Sequence, residues 1–362
     1  MTVTLERPQI IPHLSKSLNY SPFDAKWIPC SAKVVCLGQH PRGTGAIQIY
    51  ELNGPELKLV SESEKPHGFK CGTFGASSLQ NRQLATGTLE GHLQVWDIEN
   101  LSNPVYNVKG HEQVINAIDG VAGIGHNIGA PEIVTGSRDG FVKVWDTRQK
   151  GSPVATIAPA ENEIGRDCWS VSFGNSYNNE ERMVVAGYEN GDLKIFDLKT
   201  MKLYYETNLN NGVCCAQFDR KDILMNKLVV VGLEGAMNVI DLRTRHSTKG
   251  FANLIQPKDS ITGQSTIWTV NHLPQNRDIF MTGNGNGRVR LFKYEYPSER
   301  TLKDEKGELY GVCGELKLLN DAIMATQPVS SFDWSPDKQG LCAMTSFDQK
   351  LQLAFVTKLN QY

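Results

Sequence analysis

Polar turns and short runs of alternating apolar residues follow one another along the whole chain. No stretch keeps a helical apolar period of about 3.6 residues over two turns or more, so strands are predicted almost throughout and helix almost nowhere. One twelve-residue pattern recurs: a small turn, alternating apolar positions, then an aromatic and an acid. Its clearest copies are TGTLEGHLQVWD (86–97), TGSRDGFVKVWD (135–146) and AGYENGDLKIFD (186–197). Weaker copies are HPRGTGAIQIYE (40–51), VVGLEGAMNVID (230–241), TGNGNGRVRLFK (282–293) and MTSFDQKLQLAF (344–355). Their eleventh positions, Tyr50, Trp96, Trp145, Phe196, Ile240, Phe292 and Ala354, lie 46, 49, 51, 44, 52 and 62 residues apart. The chain is therefore built of seven repeats.

Each repeat reads as strands joined by tight turns. Glu90-Gly91, Asp139-Gly140, Asn190-Gly191, Glu234-Gly235 and Asn286-Gly287 supply the positive φ that a short hairpin needs. An apolar strand precedes each turn (Ile133 to Thr135, Met183 to Ala186), and a further one lies upstream (170–175, 270–275, 331–336). A fourth follows the acid (Val154 to Ile157, Leu316 to Leu319). Four antiparallel strands repeated radially make an all-β, seven-bladed β-propeller. The seventh repeat runs short, with only Val356 to Tyr362 after Phe355. The strand-like segment at 8–13 is expected to supply its missing outer strand and close the ring, removing an exposed edge. Residues 1–362 then form a single propeller with no linker, and a monomeric ring suffices. Two insertions interrupt the rhythm: 297–314, expected as a surface loop in blade six, and the glycine-rich 120–131 in blade three. Either is a candidate contact loop or a tolerated insertion.

Composition narrows the chemistry. Lys+Arg 37 against Asp+Glu 39 gives a net charge of −2, which offers no basic field for a nucleic acid. No apolar run approaches the roughly 18 residues of a membrane span, and Glu6, Arg7 and Pro8 interrupt any signal-like start. Eight cysteines, several among strand-like apolar residues (Cys36, Cys71, Cys214, Cys342), read as buried reduced thiols of a cytoplasmic protein. No P-loop, zinc-protease helix or C-x-x-C clamp occurs. Gly283-Asn284-Gly285-Asn286-Gly287 falls in a hairpin and opens no helix, so it reads as a turn. An enzyme, a cofactor and a metal are not expected.

The Trp-Asp endings, the Gly110-His111 pair and the radial spacing resemble the WD-repeat family over the whole chain. In that resemblance His111, Thr135, Asp139 and Trp145 match the family's hydrogen-bond network; the imidazole bridges acid and hydroxyl, and the indole N–H gains a buried partner. The other blades lack the Gly-His pair and are expected to rely on apolar packing. Longer strings (103–120, 129–150, 166–175, 293–297, 333–342 and 356–360) resemble the WD-repeat branch of the dynein axonemal assembly factors, from PQII (8–11) to the C-terminus. This resemblance implies a cytoplasmic adaptor of the RuvB-like ATPase, TPR and prefoldin-like co-chaperone machinery, with dynein heavy chains as clients.

The tryptophans suggest where partners dock. Trp27 and Trp334 stand two residues before Pro29 and Pro336, at the end of an inner strand, and are expected to pack between blades. Trp169 and Trp268 stand six residues before Asn175 and Pro274, a register that in WD-repeat proteins approaches the channel mouth. With Arg166 and Asp167 they are either binding anchors or channel wall. Trp145-Asp146-Thr147-Arg148 also matches the W-D-x-R ending that WD-repeat substrate receptors present to a cullin-type ubiquitin ligase adaptor, and Asp241-Leu242-Arg243 echoes it. The alternative for Arg148 is a local surface pair.

Overall fold

The computed structural model describes residues 7–123, 129–149, 151–159, 165–178, 180–256 and 265–362. Among them are seven four-stranded antiparallel sheets and two short 3-10 turns, Leu233–Gly235 and Leu359–Gln361. Each sheet is one blade of a β-propeller. The inner strands, in blade order, are Ser21–Trp27, Phe69–Thr73, Ile115–Val121, Cys168–Gly174, Val213–Phe218, Ile267–Leu273 and Val329–Trp334. The second and third strands of each blade carry the repeated pattern. Gly91 and Gly140 close two of their hairpins with φ of 83° and 84°, a conformation that costs glycine nothing.

Blade seven takes its outer strand from the other end of the chain. Ile10–Ser17 pairs antiparallel with Lys350–Val356, from Ile10 opposite Val356 to Ser17 opposite Lys350, with an irregularity between Pro12 and Leu14. The strand therefore starts two residues later than 8–13 and runs four further. Gln9 fastens its leading end, with Thr357 donating its backbone N–H to the Gln9 carbonyl at 3.0 Å. The mostly polar run His13 to Ser17 hid this continuation, because an outer strand needs apolar residues only where it meets the blade, as at Ile10 and the half-buried Leu14.

The buried apolar residues fall into seven groups, each shared by two adjacent blades. Leu93, Val95 and Cys71 of blade two, for example, meet Ile115, Ile133 and Trp145 of blade three. The blades approach closely at a glycine in the second strand. A Cβ on Gly187 would lie 2.3 Å from Val213 of the next blade, so a larger residue there would push the two apart. The junction of blades five and six also buries charge. Lys227 is fully buried, and its ammonium donates to the Arg277 carbonyl at 2.6 Å and to Asp278 at 3.0 Å.

The glycine-rich insertion of blade three falls partly on residues 124–128, outside the described residues. The insertion at 297–314 lies between the third and fourth strands of blade six, and it is more ordered than a solvated loop. Thr301–Lys303 and Leu309–Gly311 form a hairpin that folds back onto blade five. Arg300 donates from Nε to the fully buried Asp241 at 2.9 Å, and Lys249 lies 4.4 Å above the Tyr310 ring. The segment reads as polar in sequence because its charges are matched by partners on another blade.

Candidate functional site

The seven inner strands line a central channel of about 670 Å³. Every one of them carries an irregularity at the same place. In blade one Pro22 is opposite Gly38 while Asp24 is opposite Leu37, which leaves Phe23 without a partner. The same step skips Lys70, Asn116, Trp169, Cys214, Trp268 and Ser330. An extra residue in one strand of an antiparallel pair bends the strand and re-aims a side chain. All seven skipped residues line the channel, close to where the strands begin, and together they form one of its mouths. Three are aromatic, one is cationic, and none is fully buried.

Below the mouth, the inner strands are joined side chain to backbone. Asp24 accepts the N–H of Gly72 at 2.8 Å, Asp119 that of Phe173 at 2.9 Å, and Ser170 that of Ala216 at 2.8 Å. Gln217 accepts from His272 at 2.9 Å, and Asp333 from Trp27 at 2.8 Å. The Asn271 amide donates to the Phe332 carbonyl, the Cys71 thiol to that of Ile115, and the Asn116 amide to that of Cys168. Each of the seven junctions thus has a bond reaching from one inner strand to the next. These groups hold the ring in register, and the paired charges within it, such as Lys26 with Asp24 at 2.8 Å, answer one another. Asp333 is pushed up to about 6 because burial disfavours its charge more than Lys26 restores it.

The sequence-derived residues take distinct places. Trp169 and Trp268 stand at the mouth, Trp268 38% exposed and edge-on to Phe347 with ring centroids 6.0 Å apart. Asp167 borders Trp169, receives the Asn116 amide at 2.6 Å and lies 3.8 Å from Arg138. Arg166 is exposed beside it. Trp27 and Trp334 are buried at the far end of their strands, where the Trp334 indole donates to the Asn271 carbonyl at 3.2 Å. Cys214 belongs to the mouth and is only half-buried, unlike Cys36, Cys71 and Cys342.

Comparison with known proteins identifies the ring. The WD domain, G-beta repeat family matches residues 102–146. Dynein axonemal assembly factor 10 of Xenopus laevis is 57% identical over 361 residues, covering 100% of both chains. The Homo sapiens protein of that name is 57% identical over 356 residues, 98% of this chain and 99% of its own. The Chlamydomonas reinhardtii one is 52% identical over 355 residues, 98% of each. The chain belongs to the dynein axonemal assembly factor 10 family.

The WD-repeat features of this family member are concentrated in blade three. His111 places Nδ1 3.1 Å from Asp139 and Nε2 2.8 Å from the Thr135 hydroxyl, and the Trp145 indole donates to the same hydroxyl at 2.8 Å. Blade two keeps part of the arrangement without a histidine: Trp96 donates to Thr86 at 3.1 Å, so packing alone does not hold that blade. Burial would raise the Asp139 carboxyl, but His111 and the backbone N–H groups of Phe141 and Glu112 outweigh it and hold it at about 2. A carboxyl depressed in the folded state from its ordinary 3.8 adds stability above that value and loses it as pH falls toward the depressed one. Acid titration of the fold should therefore show a loss between about pH 4 and pH 2 that Asp139→Asn reduces. Circular dichroism in dilute urea would measure it, and an unchanged acid limb would remove Asp139 from the account.

Arg148 is held locally: Nε and Nη2 donate to Asp146 at 2.9 and 2.7 Å. The echo at Asp241 differs, because its carboxylate is taken by Arg300 of the insertion while Arg243 stays exposed. Among the described residues one group could be considered for a metal: His246, Asp304 and Glu308, with ligand atoms within 4.8 Å of one another. His246 Nδ1 accepts the N–H groups of Thr248 at 3.1 Å and Lys249 at 3.0 Å. That use of the Nδ1 lone pair puts the ring proton on Nε2, the nitrogen facing the two carboxylates. A cation would have to displace that proton against two fixed donors, so the trio fits a clasp between hairpin and blade better than a metal centre.

Proposed function

We propose that the chain is a non-catalytic scaffold of the cytoplasm, an adaptor between a RuvB-like ATPase, TPR and prefoldin-like co-chaperone complex and dynein heavy chains undergoing preassembly. The observation that carries this reading is the channel mouth. A rigid ring stapled at every junction presents aromatic anchors at one opening, and such groups concentrate the energy of protein interfaces. Every described cysteine is a free thiol, and burial raises Cys36, Cys71, Cys168 and Cys342, so none of those four is poised as a nucleophile. The names of the full-length relatives point to the same process. The Asp146–Arg148 pair supports the scaffold over a ligase receptor, since two of the guanidinium's nitrogens already face a carboxylate.

Affinity purification of the tagged chain from ciliated cells, beside an Arg148→Ala copy, tests this. Mass spectrometry is expected to recover the ATPases, a TPR co-chaperone and dynein heavy chains equally with both baits. A cullin and its adaptor, present with the parent bait and lost with Arg148→Ala, would overturn the reading in favour of substrate recruitment to a ligase.

A further inference from the structure

Lys70 is the one charged residue among the seven that the strand irregularities turn into the mouth. Its ammonium lies 4.8 Å above the Phe23 ring, and no hydrogen bond or ion pair joins it to any described group. The two carboxylates whose charge reaches it are already engaged. Asp24 binds Lys26, the Gly72 N–H and the Ser331 hydroxyl, and Asp167 binds the Asn116 amide and borders Trp169. Burial lowers the Lys70 pKa by more than the charges of Asp24 and Asp167 restore it, so its charge has been partly withdrawn from water with no ion pair in return. A cation in that position weakens the fold relative to an apolar side chain, and it binds an incoming anion more strongly than a solvated lysine would.

The rest of the opening carries no charge among the skipped positions: Phe23, Trp169, Trp268 and Cys214 stand beside the neutral Asn116 and Ser330. Trp268 is on blade six and Lys70 on blade two, three junctions apart through blades seven and one, so the exposed indole and the ammonium face each other across the channel. We propose that the mouth takes an extended acidic segment of a protein partner, with an Asp or Glu carboxylate on Lys70 and an adjoining apolar side chain against Trp268 and Trp169. The Phe23 ring under the ammonium fixes its position before binding. This names the partner chemistry of the docking site and rests on the scaffold reading for its biological setting, though the test below does not.

Random peptides displayed on phage would be selected on the purified full chain. The best binder would then be measured by fluorescence polarisation, together with a copy whose acids are changed to amides. Acidic peptides with apolar neighbours are expected. Lys70→Met should weaken the best of them at least about 30-fold and Lys70→Arg only a few-fold, while the amide copy should lose its affinity on the parent protein and lose nothing further on Lys70→Met. The melting temperature of Lys70→Met should equal or exceed that of the parent, which separates lost binding from lost folding. Failure to select any peptide, selection of basic or neutral ones, or full affinity in Lys70→Met would overturn the assignment. Lys70→Met used as bait in ciliated cells distinguishes the two readings. Co-chaperone recovery by the parent but not the variant supports both. Equal recovery by each keeps the scaffold and places its docking elsewhere, and no recovery by the parent overturns the scaffold while the peptide result stands.

Discussion

A chain that starts at Leu18 is expected to lose most of its stability. It lacks the strand Ile10–Ser17, and with it the antiparallel ladder to Lys350–Val356 and the burial of Ile10. Burying an isoleucine contributes about 2 kcal/mol, and each ladder hydrogen bond about 1 kcal/mol net. The loss therefore approaches the whole stability of an ordinary domain, about 5–15 kcal/mol. The strand left behind would present a bare edge beside Leu351 and Leu353, whose side chains are fully buried in the closed ring. Thermal unfolding followed by circular dichroism should fall by more than about 10 °C, and gel filtration should show association. A synthetic peptide of residues 7–19 added in excess should raise the melting temperature again, by mass action on the vacant edge. An unchanged melting temperature in the shortened chain would mean that the staples from blade seven to blade one, Asp333 to Trp27 and Ser331 to Ala25, close the ring without the strand.

The seven repeats are legible in the sequence because local chemistry and global fold agree within them. The hairpins at Gly91 and Gly140 need their glycines, and Trp96 and Trp145 stand one residue before the end of strands that are buried almost throughout. The mouth is legible only in part. Counting six residues back from Asn175 and Pro274 finds Trp169 and Trp268, and the same count from Pro29 and Pro336 reaches Phe23 and Ser330. No comparable marker follows Lys70, Asn116 or Cys214; the sixth residues after them are Ala76, Ala122 and Arg220. Their place is set by the strand irregularity itself. That depends on how seven strands fit around one axis and leaves no fixed residue type at the skipped position. The hairpin at 297–314 was hidden for a different reason, since its partners, Asp241 for Arg300 and Lys249 for the Tyr310 ring, lie about 60 residues upstream on another blade.

Replacing both Trp169 and Trp268 with alanine should abolish docking at the mouth and leave the ring intact. An aromatic anchor at the centre of an interface contributes about 2 kcal/mol or more, so loss of the pair predicts a weakening of about 10²–10³-fold. Neither indole is sealed between blades: Trp268 meets Phe347 edge-on with 38% of its surface in solvent, and Trp169 lies over Gly212 and beside Asp167. The melting temperature should therefore move little. Trp27→Ala and Trp334→Ala supply the contrast. Each of these side chains is 3% exposed at the far end of an inner strand, and removing one should cost about 3–5 kcal/mol through the cavity it leaves. The two pairs have the same residue type on the same kind of strand, and they differ only in register relative to the irregularity. Measured side by side, they separate the loss of a partner from the loss of the fold. If the Trp169→Ala, Trp268→Ala chain keeps every partner, the docking surface lies elsewhere on the ring, and the aromatic groups at the mouth are the wall of its channel.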